Sequence, residues 1–344
     1  MKTDLKIVTL IVLLLLSAAC LSACQTGKQT SQVVIYTSVD QIYSEPILKA
    51  FEEQSGVQVL AVYDVEAAKT TGLVNRLIAE MNNPQADVFW NGEFAQTLLL
   101  QEQGILAAYL SPEAVDIPAQ YRDPGGYWTG IAARARVLIV NTDLLSPEYY
   151  PTSIHSLLET TWPSEQIGIA NPLFGTSASH AAALYAAWGG EAAVSYFSQL
   201  KDQGVRILDG NSVVRDLVAR GQLAFGLSDT DDACAAIKRG DPLAIVFPDQ
   251  EDDALGTLII PGTVAMVAGG PNPEQARALI DFLVSIETER MLVESGWSHI
   301  PMRPLGIDFE CVDASGVRGM DVSLAEVYSQ LERVKSELAE IFIR

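Results

Sequence analysis

The stretch Arg136-Val-Leu-Ile-Val-Asn-Thr142 decides the fold, because it is a strand long and apolar enough to leave one domain and enter another. A second such stretch, Thr257-Leu-Ile-Ile-Pro-Gly-Thr-Val-Ala-Met-Val-Ala268, follows later in the chain and is interrupted by Pro261-Gly262. Two crossing strands predict two lobes joined by a hinge, with the second lobe inserted into the first. The predicted lobes are residues 33–136 with 265–344, and residues 137–264.

Short apolar runs alternate with helical patterns on both sides of these strands. Val33-Val-Ile-Tyr36 is typical of a buried parallel strand. The following helix contains Ile47, Leu48 and Phe51 and ends at Ser55-Gly56. The remaining predicted strands are 57–63, 86–90, 167–169, 205–208, 223–227 and 244–246, and the remaining helices are 71–81, 94–103, 178–188, 212–220, 273–286 and 287–294. This alternation predicts an α/β fold of right-handed parallel units covered by helices.

The last predicted helix runs from Leu324 to Ile343. Its apolar positions are spaced by three and four residues, namely Val327, Leu331, Val334, Leu338 and Ile341. Such spacing fits a coiled-coil seam, but five positions are few. We therefore expect this helix to pack against the first lobe.

The first 23 residues have the pattern of a secretory signal peptide. Lys2 and Lys6 provide a basic start, and Ile7 to Ala19 form an apolar run shorter than the roughly 20 residues of a membrane-spanning helix. Leu21-Ser-Ala-Cys24 then supplies small residues before a cysteine. The pattern predicts export, to the periplasm or to the outer face of the cell membrane.

Leu21 to Cys24 also resembles the lipobox of bacterial lipoproteins. The resemblance implies that Cys24 is lipidated and that residues 24–32, which are mostly polar, tether the fold to the membrane. Cys20 also follows small residues, but it lacks the branched residue three places earlier. Ordinary cleavage without a lipid remains the alternative.

Charge and cysteine content narrow the function. The formal net charge of the 344 residues is −21, and it is −22 without the first 23 residues, which carry Lys2, Lys6 and Asp4. Such an acidic surface argues against nucleic acid or anionic lipid as a partner and favours a soluble monomer.

Cys234 and Cys311 are the two cysteines outside the predicted signal peptide and lipidation site. They can form a disulfide in an oxidising compartment, although the sequence does not give their separation in space.

Several of these segments resemble one known family. Tyr36-Thr-Ser-Val-Asp-Gln, Ala86-Asp-Val-Phe-Trp and Arg134-Ala-Arg-Val-Leu-Ile-Val-Asn-Thr142 look like the extracellular solute-binding proteins (family 1) of ABC transporters, in particular their ferric-ion-binding group. Phe174-Gly-Thr-Ser177 and Pro261 to Ala268 continue the match, which covers about residues 33–310. The resemblance implies a two-lobe, type II periplasmic-binding-protein-like fold, a ligand between the lobes, a membrane permease as partner and no catalysis.

The metal ligands of that group are only partly matched. The first turn offers Asp40 in place of a histidine, and the glutamate, Glu93, lies one residue beyond its usual spacing. Asp231-Asp232 stand where two adjacent tyrosines would lie. By resemblance, Asp40, Glu93, Asp231 and Asp232 are the candidate ligands of Fe³⁺ or another hard cation, and both phenolates of the family's tyrosine pair are lost.

Hydroxyl-rich turns follow a strand in each predicted lobe. Thr37-Ser38 and Gly175-Thr176-Ser177 each precede a helix, whose free N–H groups and positive dipole end suit an anion. Open α/β sheets bind ligands beyond the carboxyl ends of their strands, which is where these turns lie. Simple helix capping is the alternative.

Charged residues complete the candidate site. Arg134 and Arg136 lie on the same face of the first crossing strand, so one can bind a carboxylate or phosphate while the other forms an ion pair between the lobes. Asp229-Thr-Asp231-Asp232 places three carboxylates in four residues, and these repel one another unless a cation or donors lie among them. Oxygen ligands of this kind suit a hard cation, an ammonium or a guanidinium. An exposed turn that caps a helix is the alternative.

The sequence therefore predicts a transport receptor whose lobes close around a small ligand. One ligand hypothesis is a metal ion with a synergistic anion on Thr37, Ser38 and Thr176. The other is an organic zwitterion, phosphonate or phosphorylated compound, with its acid group also on Arg134 and its amine on Asp231 and Asp232. A secreted sensor or hydrolase is the rival class, but the sequence has no nucleophile–base pair or phosphate loop.

Overall fold

The computed structural model describes residues 31–64, 71–307, 311–314 and 316–343. The predicted signal peptide, Cys24 and most of the predicted tether lie outside these residues. Among the helices that are described, none is both long and apolar enough to cross a membrane.

The described residues form ten α-helices and ten β-strands. The helices are α1 (Gln41–Ser55), α2 (Thr71–Ala79), α3 (Ala95–Glu102), α4 (Gly175–Trp188), α5 (Gly190–Asp202), α6 (Asn211–Ala219), α7 (Thr230–Lys238), α8 (Pro273–Leu283), α9 (Ile286–Glu294) and α10 (Leu324–Phe342). The strands are β1 (Gln32–Thr37), β2 (Gln58–Tyr63), β3 (Val88–Asn91), β4 (Leu106–Ala107), β5 (Thr129–Asn141), β6 (Ile167–Ala170), β7 (Arg206–Leu208), β8 (Phe225–Asp229), β9 (Leu243–Val246) and β10 (Ile259–Val267).

The strands form two halves of one continuous sheet, and β5 belongs to both. The first half has the order β2-β1-β3-β10-β5, in which β1 is parallel to β2 and β3, and β10 is antiparallel to β3 and β5. In the second half β5 pairs with β8 and β9, and β8 continues to β6 and β7. This arrangement confirms the predicted α/β class.

The crossing strand β5 is longer than predicted. It begins at Thr129, pairs with β10 as far as Ala135, and pairs with β8 from Arg136 onwards. Its register against β10 shifts between Pro261 and Gly262, and Ala132 opposite has a φ of +34°. A non-glycine residue in this region is strained, and strain of this kind occurs at functional sites. The division into lobes at 136/137 and 264/265 stays a prediction.

The C-terminal helix does not pack where we expected. Helix α10 contacts mainly α4 and α5, which belong to the inserted segment, and it contacts α3 less. The expectation that it packs against the first lobe is therefore wrong. The amphipathic pattern identified the buried face, on which Val327, Val334 and Leu338 are fully buried, but a pattern within one helix carries no information about its partner.

Cys234 and Cys311 form a disulfide, with their Cα atoms 5.6 Å apart. Cys234 is buried in α7, two residues after the acidic motif, and Cys311 lies in the segment between α9 and α10. The bond therefore attaches the helix that carries Asp231 and Asp232 to this segment.

Candidate functional site

A cavity of about 390 Å³ lies at the carboxyl ends of β1, β3 and β8, beside the bulge of β5 and β10. This is where open α/β sheets bind ligands. Residues from both halves of the sheet line it, namely Ser38, Val39, Asp40, Tyr43, Gly92, Ala132, Ala133, Arg134, Arg215, Asp231, Asp232, Cys234, Ala235, Lys238, Ile260, Gly262, Ser295, Gly296, Trp297 and His299.

Five predicted site residues are among these, and five are not. Ser38, Asp40, Arg134, Asp231 and Asp232 line the cavity, whereas Thr37, Glu93, Gly175, Thr176 and Ser177 are absent from the lining that the described residues form.

Ser38 is fixed at the junction of two parallel strands. Its hydroxyl donates to Asn91 Oδ1 at 2.5 Å and accepts a hydrogen bond from the N–H of Gly92 at 3.0 Å. Because β1 and β3 are neighbours, the turn after each strand ends at the same edge of the sheet. On this side of the cavity, hydrogen bonds therefore join the turns that follow β1 and β3.

Thr37 and Glu93 have structural partners instead. Thr37 is fully buried and its hydroxyl accepts the N–H of Val39 at 3.0 Å. The Glu93 carboxylate accepts the N–H groups of Ala95 at 2.6 Å and Gln96 at 3.0 Å, and thereby caps the start of α3. Burial raises the pKa of Glu93, although these N–H groups act in the opposite direction.

The predicted anion seat in the second lobe is occupied by the protein's own Asp229. Its carboxylate accepts from Arg136 Nη1 at 2.6 Å, from the Thr176 hydroxyl at 2.6 Å and from Asn211 Nδ2 at 3.0 Å. Arg136 and Asp229 are almost fully buried. Ser177 joins the same network through Arg136 Nη2 at 3.4 Å. Thr176 therefore already binds an internal carboxylate, and Ser177 contacts Arg136 and Asn211, which hold that carboxylate in place.

Each of the other two aspartates pairs with its own arginine. Arg134 Nη1 lies 3.2 Å from Asp231 Oδ2, and Arg134 Nη2 donates to the carbonyl of Gly92 at 3.0 Å, so this side chain joins the two halves of the sheet. Arg215 Nη1 lies 2.7 Å from Asp232 Oδ1. The motif Asp229-Thr-Asp231-Asp232 thus has three guanidinium partners.

The three carboxylates are still close enough to share a cation. One oxygen from each of Asp229, Asp231 and Asp232 lies within 4.8 Å of the others. Burial, together with repulsion from Asp231 and Asp229, raises the pKa of Asp232 to about 7, and Arg215 opposes this only in part. A positive centre placed among these oxygens would therefore relieve a real electrostatic cost.

Two polar atoms in the cavity wall lack partners. Asp231 Oδ1 and His299 Nδ1 are buried and have no hydrogen-bond partner among the described residues. Burial lowers the pKa of His299, and the nearby Asp231 carboxylate acts in the opposite direction. Buried polar groups are normally paired, so such atoms commonly mark functional positions.

Sequence reasoning missed the other polar and aromatic residues of the cavity, which are Tyr43, Arg215, Lys238, Ser295, Trp297 and His299. His299 has no ligand-like spacing to the other two histidines of the sequence. The segment around it reaches the site because His299 and Ile300 donate their N–H groups to the carbonyl of Ala133 on β5. No local pattern predicts such a long-range pairing.

The fold and cavity define a two-lobe binding protein. A family model described as bacterial extracellular solute-binding protein matches residues 47–305, and the chain belongs to this family. The membership confirms the predicted resemblance and the expectation that the protein binds a solute and is not an enzyme.

Individual relatives agree with this assignment. The chain is 25% identical to "Iron uptake protein A1" of Synechocystis over 80% of this chain and 77% of the relative. It is 25% identical to a "Putative 2-aminoethylphosphonate-binding periplasmic protein" of Salmonella typhi over 67% of this chain and 66% of the relative. A Trichodesmium protein (IdiA, FutA), solved in complex with iron and citrate, has the same type II fold, with a TM-score of 0.81 at 20% identity over 91% of this chain and all of that chain.

Proposed function

We propose that this protein is the solute-binding component of an ABC importer. The lobes are residues 33–136 with 265–344 and residues 137–264, although α10 packs on the second. They close around a ligand at the 390 Å³ cavity and present it to a membrane permease. A lipid at Cys24, exposed after signal cleavage, would hold the protein at the outer face of the membrane.

The observation that carries the ligand proposal is that one cavity is lined by both signs of charge. Asp231 and Asp232 contribute carboxylates, and Arg134, Arg215 and Lys238 contribute cations. A ligand that satisfies this wall carries a positive and a negative centre.

The first candidate is a metal ion bound together with an anion. Asp231 and Asp232, aided by Asp40, would supply oxygen ligands of the kind hard cations prefer. The cavity is much larger than one ion, since a water occupies only about 30 Å³. The anion would lie on Arg134 and Arg215, because the Thr176 hydroxyl already donates to Asp229. Iron-binding relatives support this candidate.

The second candidate is an organic zwitterion such as an aminophosphonate, and the arginine pairing favours it. Each of the three aspartates already has a guanidinium partner, so the three pairs together carry no net negative charge. A trivalent ion needs net negative charge around it, whereas a zwitterion does not. Aminophosphonate-binding relatives support this candidate.

Elemental analysis and isothermal titration calorimetry test the proposal. The purified protein is titrated with Fe³⁺, Fe³⁺ with citrate, citrate alone and 2-aminoethylphosphonate. A bound ligand should also raise the thermal midpoint in proportion to the logarithm of its concentration. Asp231→Asn should weaken every ligand that has a positive centre, whereas Asp252→Asn, in an exposed loop, should change none. Failure of all four titrants to bind would contradict the proposed ligand class.

A further inference from the structure

The three aspartate–arginine pairs of the site differ in exposure. Arg136–Asp229 has side chains 1% and 4% exposed, Arg215–Asp232 has 16% and 18%, and Arg134–Asp231 has 29% and 37%. The last pair is also the longest, at 3.2 Å against 2.6 and 2.7 Å. Arg134–Asp231 is therefore the pair that a ligand can open most easily.

Both partners of this pair line the same cavity. Asp231 has a carboxylate oxygen without a partner among the residues that the structure describes, and Arg134 has a second hydrogen bond in addition to the ion pair. Asp231 Oδ1 has no hydrogen-bond partner in the described part of the chain, so half of the carboxylate is unpaired. Arg134 keeps its hydrogen bond to the carbonyl of Gly92, which holds the guanidinium at the cavity when Nη1 changes partner. The other two pairs are held by Thr176 and Asn211 or by burial.

We propose that the protein selects its ligand by exchanging this internal ion pair, so that the negative centre of the ligand takes Arg134 and its positive centre takes Asp231. The inference rests on the proposed function and deepens it by naming the ligand class: a compound or complex with both charges close together. The positive centre is an ammonium group or a metal ion, and the same chemistry serves both.

The exchange explains why a ligand with one charge would be rejected. A lone anion that binds Arg134 leaves the Asp231 carboxylate without a counterion beside Asp229 and Asp232, which repel it. A lone cation leaves Arg134 unpaired in the same way. Truncating one partner of a desolvated pair costs affinity mainly through the charge left behind. The internal pair therefore lowers the affinity for ligands that carry only one charge, because such a ligand leaves one partner of the pair without a counterion.

An isosteric substitution that removes one charge gives a test that a merely structural role would fail. In Asp231→Asn the guanidinium of Arg134 loses its internal partner. Affinity for ethylphosphonate or citrate alone should therefore rise about tenfold relative to the unmodified protein, while affinity for 2-aminoethylphosphonate or ferric citrate falls about tenfold or more. Asp252→Asn is the control, with both affinities unchanged. Binding of 2-aminoethylphosphonate by the unmodified protein would indicate an ammonium as the positive centre, and binding of ferric citrate would indicate a metal ion.

The outcomes distinguish this inference from the proposed function. If the unmodified protein binds a dipolar probe and Asp231→Asn weakens dipolar and singly charged probes alike, the exchange is contradicted and the proposed function stands. The exchange is also contradicted if a probe with a single charge binds the unmodified protein as tightly as the dipolar probe does. If the unmodified protein binds neither dipolar probe, the ligand class itself fails, and the exchange with it. Arg134→Met provides the converse variant, with a gain expected for ethylamine.

Discussion

At the scale of single residues, the buried pair of Arg136 and Asp229 is the ion pair of the site whose disruption should destabilise the fold most. Both side chains are almost fully buried, and Asp229 accepts two further hydrogen bonds. Arg136→Met leaves the carboxylate without its counterion, so we expect a loss of about 3–5 kcal/mol in the free energy of unfolding, measured with urea. The double variant Arg136→Met/Asp229→Asn should lose less than the single variant. A single variant that costs under about 1 kcal/mol would contradict this role.

The buried histidine of α4 predicts a pH effect. Burial lowers the pKa of His180 to about 3, and Arg136 contributes in the same direction. The unfolded chain therefore binds a proton near pH 6.5 that the folded protein does not bind, so folding loses stability as the pH falls from 6.5 towards 3. Relative to His180→Gln, the protein should lose about 2 kcal/mol of unfolding free energy between pH 7.5 and pH 5.

Urea unfolding of both proteins at both pH values checks this expectation. The other titrating groups are common to the two proteins, so their contributions cancel in the difference. An equal loss in both proteins would show that His180 is not the group responsible.

At the scale of elements, two glycines let the central strands of the second half approach their neighbours. Gly226 of β8 lies beside Gly168 of β6, and a Cβ on Gly226 would meet the carbonyl oxygen of Gly168 at 2.5 Å and Val214 at 2.6 Å. Backbone cannot move aside as a flexible side chain can. Gly226→Ala should therefore cost about 1–3 kcal/mol of unfolding free energy. Gly210→Ala, where a Cβ meets nothing within 4 Å, is the matched control and should cost less than about 1 kcal/mol. Equal losses would contradict the steric explanation.

The elements also show what a sequence can predict. Helix α1 ends at Ser55 as expected, because Gly56 adopts the left-handed conformation with a φ of +69°. The spacing of apolar residues and the glycine that ends a helix are local signals, and they were sufficient to predict where this helix ends. The start of β5 was missed because Thr129 to Ala135 pairs with β10 around a bulge, which interrupts any simple alternation.

The site residues likewise divide into those that local sequence features predict and those that they do not. Asp231, Asp232 and Arg134 could be predicted because a strand end and a charge cluster are visible in one segment. Arg215 and His299 could not, since tertiary pairing alone brings α6 and the segment after α9 to the cavity. The arginine partners of the aspartates changed the meaning of the motif, and no spacing in the sequence indicates them.

At the scale of the whole molecule, the disulfide attaches the segment after α9 to the cavity wall. Arg303 is held on one side by Glu289, with their side chains 2.9 Å apart, and Arg318 is held on the other by the backbone carbonyls of Asp249 and Glu251. Between these anchors, Cys311 is bonded to Cys234 on the cavity wall. Without the bond, α7 loses its covalent attachment to the segment between these anchors.

The Cys234→Ala/Cys311→Ala variant should therefore lose stability and close less completely. A bond that spans 77 residues stabilises by about 4 kcal/mol when it restricts the unfolded chain, and we expect a loss of that order in urea unfolding. A reductant should lower the midpoint of the unmodified protein to that of the variant and leave the variant unchanged, which controls for the packing of the lost sulfur atoms. Small-angle scattering should show a larger radius of gyration for the unliganded variant than for the oxidised protein. A midpoint insensitive to both substitution and reductant would mean that the bond adds nothing to a structure already fixed by β5, β10 and the two arginine anchors.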